Sequence, residues 1–286
     1  MPSVEIIYRY DTEAMRARAR PSGMEEARAR LEAGNLRFAT LLDSLAHGEP
    51  GLRHEIRIDA RDVGVLGAGD APAQRPYAAI LGCSDARVPL ELLFGEGPND
   101  LFVVRIAGNV LGGEVVGSLR YAANQLGGLS TAVVLGHSGC GAVGTAVDLF
   151  LGPAGLFALA TDHALRGLLE RIFLVVEIAA RSLERVHGPG VRARPGFRAA
   201  LNEVAIALNA AAGAFVLSQD LAPLPVLFGV YVVGARRVRV PDTGSGEVDG
   251  LAPPPSDPEG FRAIFDRFAR AERIVLLLDA AQPCAH

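Results

Sequence analysis

The sequence predicts an α/β protein: one domain on a central, mostly parallel β-sheet flanked by helices. Three observations predict it. Short runs rich in Val and Ile recur, namely YAAILGC (77–83), DLFVVRIA (100–107), STAVVLGH (130–137) and VLFGVYVV (226–233). These runs are apolar throughout rather than alternating, as strands buried on both faces must be. Helix-like segments separate them, GGEVVGSLRYAANQL (112–126) and the longer stretch from Gly141 to Leu217. Strands that alternate with helices build parallel sheets.

The other elements follow in chain order. Residues 1–22 are expected to form an N-terminal helical arm, ended by Pro21-Ser22-Gly23. Ser22 can cap a helix over MEEARARLEAGNLRFATLL, with Glu25 and Glu26 in its first turn. Gly34 interrupts that pattern, which leaves one helix or two. Residues 46–75 are rich in Gly, Pro, Asp and Arg and read as mostly loop. So does the Pro-rich stretch 241–260. An amphipathic helix is expected around FRAIFDRFARA (261–271), and RIVLLLD (273–279) reads as a last strand. The expected organisation is an arm (1–22), a catalytic α/β domain (23–240) and a C-terminal extension (241–286) packed on the domain or on a dimer.

Composition narrows the function classes. The chain has 286 residues, is 50% hydrophobic and carries a formal charge of −4, enough for a large core. All 28 basic residues are Arg. The mild acidity gives no reason to expect nucleic acid or an anionic membrane as partner. Three widely spaced cysteines, Cys83, Cys140 and Cys284, make no disulfide framework and suit a reducing compartment. The start lacks a basic region followed by an apolar one. The most apolar stretches, such as IFLVVEIAA (172–180), are short and interrupted by charge. A cytoplasmic protein is expected.

Chemistry concentrates at two strand ends. In a parallel sheet, sites lie outside the carboxyl ends of the strands. One run ends at Cys83, with Asp85 and Arg87 behind it. Another ends at His137, with Cys140 three residues on. Each residue alone has a bland explanation: a buried Cys as a small hydrophobe, Asp85–Arg87 as an ion pair, His137 as a helix cap. Jointly, three soft donors at two strand ends favour a metal. Two thiolates and an imidazole suit zinc, with water or Asp85 at a fourth position. Cys284 has no such company and reads as incidental.

CSDAR (83–87) and HSGC (137–140) closely resemble the Cys-x-Asp-x-Arg and His-x-x-Cys motifs of β-class carbonic anhydrases. GNLRF (34–38), FVVRIAGN (102–109) and HSGCGAV (137–143) agree with family segments, and LNEVAIAL (201–208) and VLFGVYVV (226–233) do so more loosely. The likeness is strongest from Leu31 to Val147, weaker to Val240, and absent in the arm and the last forty or so residues. It implies one Zn²⁺ per chain on Cys83, His137 and Cys140. It also implies reversible hydration of carbon dioxide by zinc-bound hydroxide. In that scheme Arg87 holds Asp85 off the metal, and Asp85 accepts a hydrogen bond from the zinc-bound water or hydroxide. By the same resemblance, Gln74 is a substrate-side amide, and Phe102 and Tyr121 line a small apolar pocket. In one branch that pocket lies at a dimer interface, so these three residues would act on the neighbouring subunit's zinc; a homodimer or a dimer of dimers is expected. The chain departs from the family at Ile80, where another branch has a Trp for a bicarbonate pocket, at Arg120 and at Val232.

Other functions remain open on the sequence. The same ligands serve hydrolases of carbon disulfide and carbonyl sulfide. GHSGC (136–140) is one residue from a serine nucleophile elbow, with Cys140 where Gly is needed. A zinc scaffold or bicarbonate sensor, closed by Asp85, would be non-enzymatic. No proton-shuttle residue stands out; His47, His54, His163, His187 and His286 read as solvated side chains on loops or helix surfaces.

Overall fold

The computed structural model describes residues 3–11, 13, 19–65, 69, 71–152 and 162–280. Its centre is a six-stranded sheet. The strands are β3 (Ala78–Gly82), β4 (Leu101–Arg105), β5 (Thr131–His137), β6 (Val226–Val232), β7 (Arg237–Pro241) and β8 (Glu247–Asp249), in the order β4-β3-β5-β6-β7-β8. The first four run parallel, and β7 and β8 are antiparallel additions at one edge. The four apolar runs in the sequence thus become the parallel strands.

Strand alternation divides the core. Ala79, Leu81, Ala132, Val134, Phe228 and Val230 face one side, and Ala78, Ile80, Val133, Leu135, Leu227 and Tyr231 face the other. Successive strand residues point to opposite faces, so a strand covered on both sides must be apolar at every position. Full burial of a Leu or Ile such as Leu81 or Ile80 contributes roughly 1.5–3 kcal/mol. The second face is covered by α1 (Met24–Ala46) and α2 (Leu90–Phe94). The first is covered by α3 (Gly113–Tyr121), α4 (Gly141–Leu151), α5 (His163–His187), α6 (Phe197–Asp220), α7 (Pro258–Phe268) and α8 (Glu272–Asp279). Helix α6 is long and apolar enough to span a bilayer, yet it is largely buried between the sheet and its neighbouring helices, as a core helix is.

Five local expectations are corrected or resolved. Gly34 does not split α1; a Cβ there would sit 1.8 Å from the Phe94 carbonyl oxygen, so the glycine lets α2 approach. Within the expected arm, residues 4–10 are a strand, β1 (Val4–Tyr10); residues 1, 2, 12 and 14–18 lie outside the described residues. Its partner is β2 (Leu52–Ile58), inside the segment expected to be loop, and the two run parallel. Alternation explains both: Ile56 and Ile58 are buried while Arg57 is exposed, and Arg9 pairs with Glu55 across the strands. Residues 273–279 form helix α8, not a strand. Ile274 and Leu278, four apart, are fully buried, whereas Leu276 between them is 63% exposed; a strand would put all three on one face. The stretch 241–260 is likewise not all loop, since β8 and the start of α7 lie within it.

Candidate metal centre

The site forms where β3 and β5 end side by side. Leu81 pairs with Val134 and Gly82 with Leu135, which brings Cys83 beside the end of β5. His137 is the last residue of β5, and Cys140 precedes the first turn of α4. The turn between them requires Gly139 at φ +65°, a left-handed conformation that suits glycine.

One nitrogen or sulfur from each of Cys83, His137 and Cys140 lies within 4.8 Å of the other two, and all three residues are buried. The two sulfurs are 3.9 Å apart, close to the separation of about 3.8 Å expected of two thiolates at 2.3 Å from a tetrahedral zinc. The His137 Nε2 is buried and, among the described residues, has no hydrogen-bond partner. Its Nδ1 lies 3.1 Å from the Ser138 carbonyl oxygen; a carbonyl only accepts, so Nδ1 carries the proton and Nε2 is left as a bare donor.

The electrostatics favour a cation. The Cys83 thiol is held below its ordinary range, first by the Cys140 sulfur and then, against the cost of burial, by His137 and backbone amides. The Cys140 thiol is pushed up by Cys83 and by burial. Two thiolates at this distance would repel by about 4 kcal/mol at an effective dielectric near 20. A divalent ion removes that conflict. The donor set therefore fits zinc, the ion that β-class carbonic anhydrases use.

Asp85 and Arg87 stand beside the donors. Arg87 Nε donates to Asp85 Oδ1 at 2.9 Å and its Nη2 to Oδ2 at 2.8 Å, so both carboxylate oxygens are engaged. Asp85 Oδ2 also lies 3.8 Å from His137 Nε2. The Arg87 hydrogen bond, opposed by burial, holds the Asp85 carboxyl well below the usual carboxylate range.

Further polar contacts hold the backbone around the donors, and sequence reasoning assigned them no role. Arg105 donates to the carbonyls of Cys83 (3.0 Å) and Asp85 (2.6 Å), pinning the loop between them. The Gly108 amide points at Cys83 Sγ, 3.3 Å away, and Asn209 Nδ2 donates to the Gly108 carbonyl at 2.8 Å. Glu203 accepts from the Gly139 amide at 2.9 Å. Most of these contacts end on backbone atoms far away in sequence, so the segments FVVRIAGN and LNEVAIAL do not by themselves reveal them.

The residues named for the substrate side are placed elsewhere. Gln74 and Phe102 line a cavity of about 290 Å³ with Asp62, Pro72, Pro76, Asn99 and Leu101; none of the metal donors lines it. Tyr121 ends α3 with 54% of its surface exposed. Ser138 Oγ accepts from the Val233 amide at 2.9 Å, and His137 meets the Ser138 carbonyl, not its hydroxyl. An activated serine needs a base within reach of that hydroxyl, so the hydrolase elbow gains nothing here. Cys284 and His286 lie outside the described residues.

A mostly parallel α/β sheet with two thiols, an imidazole and an Arg-clamped Asp at its strand ends defines a candidate metal centre. Comparison with known proteins agrees. The family described as carbonic anhydrase matches residues 78–190. The chain is 49% identical over 80 residues to carbonic anhydrase 2 of Mycobacterium tuberculosis, covering 28% of this chain and 38% of that protein. It is 52% identical over 71 residues to a carbonic anhydrase of Mycolicibacterium smegmatis, covering 25% and 34%. It thus spans somewhat over a third of the length of these curated relatives. Among solved structures, the β-carbonic anhydrase CcaA is similar in fold, with a TM-score of 0.50 at 20% identity over 76% of this chain and 91% of that one. The segment that carries the site is thus similar to carbonic anhydrases, and the fold is that of the β-class.

Proposed function

We propose that this chain is a zinc-dependent carbonic anhydrase that interconverts carbon dioxide with bicarbonate and a proton. The observation that carries the reading is the bare, buried Nε2 of His137 grouped with two thiols, next to a carboxylate whose oxygens Arg87 already engages. Zinc at such a centre acidifies water, so hydroxide is available near neutral pH. Cys83, His137 and Cys140 would hold the ion. Asp85, kept ionised by Arg87, accepts a hydrogen bond from the attacking water and turns its lone pair toward the substrate carbon. Arg87 keeps Asp85 from becoming a fourth ligand.

Among the described residues, the cavity that Gln74 and Phe102 share contains none of the donors, and Tyr121 is about half exposed. In this reading they complete the neighbouring copy's site, Gln74 by hydrogen bonding to a bicarbonate oxygen and the rings by lining an apolar space for carbon dioxide. The working unit is then a homodimer or a dimer of dimers. A reducing, cytoplasmic setting suits the centre, because oxidation of the two sulfurs would remove two of its three donors.

Stopped-flow hydration with a pH indicator, on protein of measured zinc content, tests the proposal. Fast proton release that disappears on chelation is the expected result. Zinc-loaded protein that releases protons no faster than buffer would contradict it. Turnover of carbon disulfide or carbonyl sulfide by the same sample would then reassign the substrate.

A further inference from the structure

The turn that joins two of the metal donors is held from both sides. The Gly139 carbonyl accepts from Arg87 Nη2 at 3.3 Å, and its amide donates to Glu203 Oε1 at 2.9 Å. One residue, Gly139, therefore takes a contact on each of its two flanking peptides, and its carbonyl peptide joins the Cys140 ligand to the guanidinium that restrains Asp85. Glu203 sits on α6 among buried apolar residues and is itself 8% exposed. A carboxylate in that position is costly unless a cation meets it.

The cation comes from the C-terminal extension. Arg273, on α8, donates from Nη1 to Glu203 Oε2 at 2.5 Å. From its other side it donates to Glu247 of β8, Nη2 to Oε1 at 2.7 Å and Nε to Oε2 at 3.3 Å. Its guanidinium lies 5.6 Å from the centre of the Phe268 ring. The buried Ile274 and Leu278 anchor α8 in the core, so Arg273 is presented from a fixed helix. A neutral Gln at 203 could also accept from Gly139. A carboxylate is the stronger acceptor, but only while Arg273 is present.

We propose that Glu203 and Arg273 are positioning residues of the metal centre: the last helix, through this buried pair, fixes the backbone of Gly139 and with it the Cys140 ligand and the second anchor of Arg87. This rests on the zinc reading of Cys83, His137 and Cys140. It gives the extension beyond residue 240 a part in the chemistry in addition to its packing.

Arg273→Gln leaves Glu203 buried without its cation. The expected result is zinc release to a colorimetric chelator about tenfold faster or more, the usual cost of disturbing a group behind a metal ligand. The visible spectrum of the cobalt-substituted protein should also shift. Arg273→Lys keeps the charge but loses the fork and should fall between. The double variant Glu203→Gln with Arg273→Gln should return toward the parent, because the amide oxygen still accepts from Gly139 and no buried charge remains. Glu247→Gln, on the other arm, should release zinc near the parent rate. A purely structural pair would lower the melting temperature in all these variants and leave the release rate and spectrum unmoved. Parent-like release and spectra in both Arg273→Gln and Arg273→Lys would overturn the proposal; if Arg273→Gln does not fold, Arg273→Lys decides alone. A parent chain that takes up no zinc would defeat the metal reading itself, and this inference with it.

Discussion

The candidate metal donors and the residues proposed for the substrate side differ in how one chain places them. Cys83, His137 and Cys140 converge within 4.8 Å because two adjacent strands end together. Gln74 and Phe102 share a separate cavity, and Tyr121 is half exposed. A centre built at strand ends is assembled by the sheet itself. The pocket proposed from Gln74, Phe102 and Tyr121 would be completed by a second copy. Metal binding should therefore be a property of the folded chain, and catalysis a property of the assembly.

The largest effect should come from the donors. Cys83→Ser or His137→Ala should bring zinc content, measured by atomic emission, close to zero and hydration to background. A loaded variant would separate that residue from the metal. Next comes Asp85→Asn, which should keep zinc bound and lower kcat by about 10²–10⁴-fold, the range for a lost proton acceptor. Unchanged kcat would remove Asp85 from the reaction.

The legibility of the molecule follows the same division. The parallel strands could be read because burial on both faces leaves continuous apolar runs, and CSDAR and HSGC because soft ligands are rare at strand ends. RIVLLLD was misread because a seven-residue apolar run fits a strand or a helix equally well; only the exposure of Leu276 between buried Ile274 and Leu278 distinguishes them. The β1–β2 pair was missed because its half-polar strands are stabilised by each other across more than forty residues of sequence. Arg105 and Glu203 fall within FVVRIAGN and LNEVAIAL, but their roles, like that of Asn209, could not be read there, since each bonds a backbone group brought close only by folding.

Smaller effects sharpen the comparison. Gln74→Ala should leave zinc content unchanged and lower kcat/KM about tenfold, the loss of one hydrogen bond to a charged oxygen. Dilution that dissociates the assembly should lower activity without releasing zinc; equal activity in monomer and oligomer would break the proposed division. The Asp85–Arg87 pair should also leave a trace in stability against pH. The folded Asp85 pKa is depressed, by the Arg87 hydrogen bond first. Its contribution is therefore full above the unfolded value of about 3.9 and is lost as pH falls below it. The melting-temperature difference between parent and Arg87→Gln should be present at pH 6 and shrink toward pH 3. A difference that stays constant across that range would assign Arg87 a role unrelated to the Asp85 charge.

X-ray absorption at the zinc edge, on the purified full chain, tests the central claim most directly. The account predicts two sulfur scatterers at about 2.3 Å and nitrogen or oxygen scatterers at about 2.0–2.1 Å. A shell of nitrogen and oxygen alone, or one holding a single sulfur, would contradict it.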